Sequence, residues 1–310
     1  MMEFIERSRS VLQATPGIRR AAPALSATWH SVDRSHVVYE TRRRAWQVEH
    51  RRRKRFPLRI AFTPEAPRYF HAAYRLCVRL NVDVVPLAEA DVVLHWADVT
   101  IRNDPPPGLD PRAINARVCD ISKRHVGEVH GQVFGYDLGP EPGATEVVEK
   151  SDTNSTHDGR IVDRPSGAPG MVTERLIDNR LDEHLVSDFR VSVKDGGIAW
   201  TFRRYRPLGD RFMQSGRNLL AVVVDADAYF SADEQTRLLA LCDAIGADWA
   251  ELDVLRDGPS GRLYVVDVNP TPAFPITGVD GTQLATYWRL EEQGFAALLR
   301  GHARVTTTSA

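Results

Sequence analysis

The fold of this chain is decided by the stretch Ala250-Glu251-Leu252-Asp253-Val254-Leu255-Arg256, Asp257-Gly258-Pro259-Ser260-Gly261, Arg262-Leu263-Tyr264-Val265-Val266-Asp267-Val268-Asn269-Pro270. Two apolar segments are joined by a linker rich in turn-forming residues, a pattern that predicts an antiparallel β-hairpin. Because side chains alternate along a strand, Asp267 and Asn269 share one face. A turn centred at Ser260 places Asp253 directly opposite Asp267, whereas a turn centred at Pro259 makes them diagonal neighbours.

The two carboxylates of this hairpin favour a metal site. Residues that face each other across a hairpin have Cβ atoms about 4.5–5.5 Å apart. At an effective dielectric constant of 20, two carboxylates that close repel by about 4 kcal/mol. A divalent cation turns this repulsion into coordination, and Asp253, Asp267 and Asn269 offer only oxygen ligands, which suit Mg²⁺. The alternative is an edge hairpin whose acids point to solvent.

A helix and a second hairpin are predicted before this one. Ser231 and Glu234 form a capping box, and the helix that follows ends at Gly246. Farther upstream, Lys194-Asp195-Gly196-Gly197 is a hairpin turn signal between two apolar strands. A basic group lies on this hairpin and just after it: Arg190, Arg203, Arg204 and Arg206.

The first ordered unit begins after Pro57. Residues 58–62 read as a strand, and apolar residues between Tyr69 and Leu80 recur at helical spacing. Two further short strands are predicted, at residues 82–87 and 91–96. These elements indicate a small α/β lobe.

Lysine is rare in this chain, so each lysine is informative. Of 40 basic residues only four are lysine: Lys54, Lys123, Lys150 and Lys194. Lys123 lies in the first turn of a helix predicted at residues 122–133, and Lys150 directly follows a strand predicted at residues 145–149, before the polar loop Ser151 to Gly159. An ammonium group on a flexible stem is a compact point charge for a phosphate.

The hairpin sequence E-L-D-V-L-R-D followed by R-L-Y-V-V-D-V-N-P-T-P resembles the C-terminal metal-binding signature of the ATP-grasp superfamily. The resemblance extends from about residue 58 to about residue 298. It implies that Asp253, Asp267 and Asn269 hold one or two Mg²⁺ ions on the phosphates of ATP. It also implies that Lys123 and Lys150 bind those phosphates, together with Ser151 at the start of the phosphate loop.

Further residues of the nucleotide site follow from the same resemblance. Glu174-Arg175-Leu176-Ile177 resembles the hinge strand that holds adenine, with backbone groups near Leu176 and Ile177 at the ring edge and Glu174 near the exocyclic amine. Asp188 resembles the acid that takes the ribose hydroxyls, and Glu183 is an alternative for that role. Arg190, Arg204 and Arg206 are the expected catalytic residues, which neutralise the transferring phosphate.

The resemblance implies a mixed α/β (α+β) ATP-grasp fold. Its expected parts are listed in chain order: a basic segment at 1–57, an N-terminal α/β lobe at 58–120, a central lid subdomain at 121–186, a C-terminal subdomain at 187–298 and a tail at 299–310.

The implied activity is that of an ATP- and Mg²⁺-dependent ligase. A carboxylate is activated as an acyl phosphate, and an amine or thiol then displaces the phosphate. The expected partners are therefore small-molecule carboxylates and amines. Two alternatives stay open: an ATP-grasp kinase acting on a small-molecule hydroxyl, and a nucleotide-sensing binding module.

Composition adds a location and a possible partner surface. No apolar run is long enough to span a membrane, no secretory signal is apparent, and the three cysteines are far apart, so we expect a reducing, cytoplasmic setting. Residues 1–57 hold 13 basic and 5 acidic side chains, although the whole chain has a net charge of −1. The basic runs within residues 37–56 could contact nucleic acid or an anionic membrane, or could pack on the acidic remainder.

Overall fold

The structure is a computed structural model that describes residues 54–102, 110–212, 218–273 and 277–303. These residues contain four helices, α1 (Ala72–Leu80), α2 (Lys123–Phe134), α3 (Ala232–Ile245) and α4 (Gly281–Gly301). None of the described helices is both long and apolar enough to cross a membrane. The basic runs 42–44 and 51–53 and the last seven residues of the predicted tail lie outside the described residues.

Ten strands form three sheets in the described part of the chain. The N-terminal sheet pairs β1 (Ile60–Pro64) with β2 (Val92–Trp96) in parallel. The lid sheet is antiparallel in the order β4-β3-β5, with bounds β3 (Val147–Ser151), β4 (Arg160–Val162) and β5 (Met171–Arg175).

The third sheet, the main sheet, has five antiparallel strands in the order β10-β9-β6-β7-β8. Its strands are β6 (Leu185–Lys194), β7 (Gly197–Pro207), β8 (Leu220–Val224), β9 (Trp249–Arg256) and β10 (Leu263–Asn269). The predicted mixed α/β fold class is therefore confirmed.

The two faces of the main sheet are covered differently. On one face, Val191, Leu252 and Val254 pack against α2 and α3 in one hydrophobic core. On the other face, Trp200 and Trp249 pack against α4 and the N-terminal lobe in a second core. Part of this second face is charged, because alternate positions on β7 and β9 change from aromatic to ionic residues.

The structure confirms both predicted ends of α3. Ser231 caps α3 in a full capping box with Glu234, and Gly246 ends the helix at φ +83°. At Gly246 a Cβ would lie 2.6 Å from the Cβ of Arg117, so the close approach of that residue also requires glycine. The predicted turn before Gly197 has positive φ at both Asp195 and Gly196, as a tight hairpin needs.

The predicted strand at residues 82–87 is wrong. Val84 makes a single bridge to Ile60, and Leu87–Glu89 form a 3₁₀ turn. Pro86 has no N–H to donate to a ladder, which ends the pairing after one residue. Elsewhere, β6 runs across the expected boundary at 186/187 and α4 across the one at 298/299.

Candidate active site

A cleft with a volume of about 320 Å³ lies between the lid sheet and the charged part of the main sheet. Twelve of the fourteen site residues expected from the sequence line it: Lys123, Lys150, Ser151, Glu174, Ile177, Asp188, Arg190, Arg204, Arg206, Asp253, Asp267 and Asn269. Leu176 and Glu183 are not among the lining residues. Glu183 is exposed beside His184, with 3.4 Å between Oε1 and Nε2, so the structure does not bring it to the cleft.

A β-bulge sets the register of the two hairpin acids. Near the turn, Leu263 pairs with Arg256 and Val265 with Val254, a register that would place Asp267 opposite Leu252 and leave the two acids on opposite faces of the hairpin. The register shifts between Val265 and Asp267, and beyond this shift Asp267 lies directly opposite Asp253. One extra residue in β10 therefore brings the carboxylates together on the cleft face.

The floor of the cleft is a ladder of alternating charges across β7, β6 and β9, which we call the charge ladder. Its members are three arginines and three acids: Arg190, Arg204, Arg206, Asp188, Glu251 and Asp253. Asp253 Oδ1 accepts from Arg190 Nη1 at 2.8 Å and from Arg204 Nη2 at 2.9 Å.

The remaining contacts of the charge ladder pair the three arginines with Glu251 and Asp188. Arg190 Nε donates to the buried Glu251 at 2.7 Å. Arg204 also pairs with the buried Asp188, and the other oxygen of that carboxylate lies 3.2 Å from Arg206 Nη1. Asp188, proposed for the ribose, thus holds two guanidinium groups in this structure.

The environment of the ladder shifts the pKa values of its members. Burial would raise the pKa of Asp253, but the charges of Arg190 and Arg204 outweigh burial and hold it well below its usual range. Burial, aided by the nearby charge of Arg204, lowers the pKa of Arg206. Burial raises the pKa of Glu251.

The two cleft lysines are each held by an acid. Lys123, the first residue of α2, pairs with Asp267, and its Nζ also donates to Asn154 Oδ1 at 2.9 Å. Lys150 Nζ lies 2.7 Å from Glu174 Oε2 and 3.3 Å from the carbonyl oxygen of Val266. Lys150 on the lid sheet therefore reaches the hairpin of the main sheet.

The polar loop between β3 and β4 lies over one end of the cleft. Asn154 N donates to Thr100 Oγ1 of the N-terminal lobe at 2.9 Å, so this loop contacts both the lobe and Lys123. His157 lines the cleft at φ +53°, and burial lowers its pKa, with smaller effects from Asp267 and Lys123.

Sequence reasoning did not identify three residues at this site. Glu251 has the same strand phase as Asp253, so alternation along β9 could have shown it. The backbone N–H of Thr271 donates to Asn269 Oδ1 at 2.9 Å and its hydroxyl donates to Asp98 Oδ1 at 3.2 Å, which ties the hairpin end to the N-terminal lobe. Arg211 reaches the cleft from a loop after β7, and no sequence pattern indicated its position.

The residues of the cleft fit a nucleoside triphosphate with Mg²⁺. Seven basic and five acidic side chains line it, an excess of two positive charges that suits a polyanion. Within the described residues no group of three His, Cys, Asp or Glu side chains could hold a metal. Two carboxylates and an amide nevertheless match Mg²⁺, which usually takes one or two carboxylates and completes its shell with water and substrate phosphates.

Comparisons with known proteins give similar folds at low sequence identity. No protein-family model matches the sequence, and no curated protein matches it significantly. A D-alanine–D-alanine ligase from Bacillus anthracis is similar in structure, with 11% identity and a TM-score of 0.48 over 79% of this chain and 100% of that one. Pyruvate carboxylase from Rhizobium etli matches at 12% identity and a TM-score of 0.40, over 72% of this chain and 26% of that one.

The ATP-grasp ligase PsnB, in complex with a minimal precursor, matches at 11% identity with a TM-score of 0.38. That match covers 59% of this chain and 60% of PsnB, so this chain spans less than two thirds of its length.

Proposed function

We propose that this chain is an ATP- and Mg²⁺-dependent ligase that activates a carboxylate as an acyl phosphate for attack by an amine or a thiol. The observation that carries the proposal is the convergence in one cleft of two lysines from separate elements with the oxygen ligands of the β9–β10 hairpin. MgATP would supply the phosphoryl group that activates the carboxylate.

Each group of cleft residues has a distinct part in this proposal. Lys123 and Lys150 would hold the phosphates, assisted by Ser151, while Asp253, Asp267 and Asn269 would hold Mg²⁺. In the protein alone these acids pair with Lys123, Arg190 and Arg204. The cations are therefore already next to the positions where phosphate oxygens would arrive.

The arginines of the charge ladder would stabilise the transferring phosphate. Glu251 pairs with Arg190, and Asp188 pairs with Arg204 and Arg206. These guanidinium groups are therefore already held in place and need little reorganisation when negative charge develops on the transferring phosphate. Preorganised donors in a water-poor site are commonly worth several kcal/mol of barrier. We assign to Asp188 the role of holding Arg204 and Arg206. The hinge backbone near Leu176 and Ile177 would bind the base, and Glu174 would position Lys150.

The test is a phosphate-release screen over amino acids and other carboxylic acids with MgATP, followed by trapping with hydroxylamine. A ligase releases free phosphate and yields a hydroxamate from the activated carboxylate. A kinase acting on a hydroxyl, the alternative within the family, yields neither. Nucleotide binding without turnover would favour the nucleotide-sensing binding module, and absence of nucleotide binding would reject all three.

The part of residues 37–56 in binding nucleic acid or an anionic membrane stays a prediction. A pull-down on RNA, DNA and anionic vesicles at rising salt, with the full chain and with a chain lacking residues 1–53, tests it. Binding that weakens with salt and requires the segment supports the prediction.

A further inference from the structure

Arg211 lines the cleft where the segment that follows β5 borders it, and neutral oxygens hold its side chain there. Its Nη2 donates to the backbone carbonyl of Ile177 at 2.8 Å and to Asn179 Oδ1 at 2.9 Å. Its own carbonyl accepts a long hydrogen bond, 3.5 Å, from Arg206 Nη1. The side chain is thus anchored on the segment that follows β5, and the backbone on the charge ladder.

The guanidinium of Arg211 is unusual among the cleft cations because it has no carboxylate partner within ion-pair distance in the described residues. Lys123, Lys150, Arg190, Arg204 and Arg206 each have one. Burial lowers the pKa of Arg211, and the nearby charge of Asp178 offsets this only in part, so the guanidinium is partly desolvated without a directly bonded carboxylate in the described residues. Such a group is ready to contact a ligand.

Phe212, the residue after Arg211, also lines the cleft. Phe212 packs on the lid loop so closely that a Cβ at Gly159 would lie 2.9 Å from its Cδ1. Arg211 therefore contacts the hinge and Phe212 contacts the lid, and together they span the cleft beside the hinge. The cations that pair with Asp253 and Asp267 lie on α2, β6 and β7.

We propose that Arg211 contacts the base of the nucleotide, not its phosphates, and that its planar guanidinium stacks on the purine ring. The proposal rests on the proposed nucleotide site and adds a residue that determines how tightly the base is held. The guanidinium is held through Nη2 by Ile177 and Asn179, and its Cζ lies 5.3 Å from the centre of the Phe212 ring. A base that stacks on its other face would complete an aromatic sandwich, and arginine stacks on such rings in a way that lysine cannot.

The experiment separates base from phosphate by using three probes. Calorimetric titration measures the binding of adenosine, of a non-hydrolysable ATP analogue with Mg²⁺, and of tripolyphosphate with Mg²⁺, to the full chain. Arg211→Ala and Arg211→Lys should each weaken adenosine and the analogue by a similar factor, about tenfold, because both variants lose the stack. Both should leave tripolyphosphate binding unchanged.

Arg180→Ala is the matched control, because it removes the same charge next to the same segment but is exposed and paired with Asp178. It should leave all three affinities unchanged, and melting curves should show that every variant is folded. Loss of tripolyphosphate binding in Arg211→Ala would make Arg211 a phosphate ligand and overturn the proposal. Wild-type affinity for adenosine in Arg211→Ala or in Arg211→Lys would overturn it as well. If the wild-type chain binds none of the probes, the nucleotide site itself is rejected.

Discussion

Asp253 lies between two guanidinium groups and opposite a second carboxylate, so its contribution to stability depends on which neighbours dominate. Repulsion from Asp267 favours removing the charge. Arg190 and Arg204, at 2.8 and 2.9 Å, favour keeping it, and their effect prevails because the pKa of Asp253 is held far below its usual range. Neutralising this carboxylate would leave Arg190 and Arg204 each with one acid instead of two.

We therefore expect Asp253→Asn to lower the melting temperature as well as to abolish Mg²⁺-dependent turnover. Considering repulsion between the two acids alone would predict a more stable protein. Removing one partner of a buried ion pair typically costs about 3–5 kcal/mol, and the lower end applies here because a quarter of the side chain is exposed. Thermal and urea unfolding measure the change. Asp243→Asn, at an exposed pair with Arg117, is the control and should change stability by less than about 1 kcal/mol.

Lys194 shows how a tertiary contact overrides a local pattern. Its position beside a hairpin turn suggests an exposed charge, but the structure buries this side chain. The side chain is buried, with Nζ 2.9 Å from Glu291 Oε2 of α4 and 2.7 Å from Ser192 Oγ, and it lies over the ring of Trp249.

Lys194→Arg should therefore destabilise the protein, because a broader guanidinium must fit a closed site. The Cδ of Lys194 is already 3.1 Å from the position that a Cβ at Gly294 would take, so the packing leaves little space. Overpacking of this kind typically costs about 1–3 kcal/mol. Chemical unfolding of Lys194→Arg beside Lys54→Arg, at the exposed lysine, measures the difference. Equal stability of the two variants would contradict the buried position.

At the scale of elements, α2 and β10 are joined by an aromatic cluster around a neutral histidine. His130 on α2 is fully buried, stacks on Phe134, and lies against Tyr136 and Tyr264. Burial lowers its pKa to about 4, so the imidazole stays uncharged in the folded protein at neutral pH. The cluster is therefore stable only while the ring can remain neutral.

This histidine gives the free energy of unfolding a pH dependence of known sign. As the pH falls below about 6.5, the unfolded chain takes up a proton that folded His130 does not accept until about pH 4. Stability therefore declines through this range, by up to about 1.4 kcal/mol per pH unit for one such group. His130→Phe should flatten the decline measured by urea unfolding between pH 7 and pH 4.

The flattening should be partial, because burial also lowers the pKa of His95 to about 4. His184→Phe is the control, since His184 is exposed and should leave the slope unchanged. An unchanged slope in His130→Phe would mean that the ring is protonated in the folded state.

At the scale of the whole molecule, local sequence signals predict the secondary-structure elements but not the contacts between them. The β9–β10 hairpin and the cap of α3 depend on neighbouring residues, and both were predicted. The bulge before Asp267 depends on packing across the sheet, so the sequence left its register open. Arg211 reached the cleft through contacts with Ile177 and Asn179 that are remote in sequence, and it could not have been assigned from its own segment.

Lys150 connects two sheets, which makes it the sharpest test of the whole arrangement. It extends from β3 of the lid sheet to Glu174 on β5 and to the carbonyl of Val266 on β10. A phosphate bound there would contact both sheets through one ammonium group. Because the cleft is confined and a guanidinium is broader and directs its donors differently, Lys150→Arg cannot preserve this contact.

We expect Lys150→Arg to weaken binding of a non-hydrolysable ATP analogue with Mg²⁺ by at least about tenfold, or about 1.4 kcal/mol, in calorimetric titration. Lys123→Arg should behave in the same way, because Lys123 lies against Asp267 on the other side of the cleft. Lys54→Arg should bind as the wild type does, since this exposed lysine is outside the cleft and arginine already serves as the ordinary cation of this chain. If all three variants kept the wild-type affinity, Lys123 and Lys150 would be generic charges, and their assignment to the phosphates would be wrong.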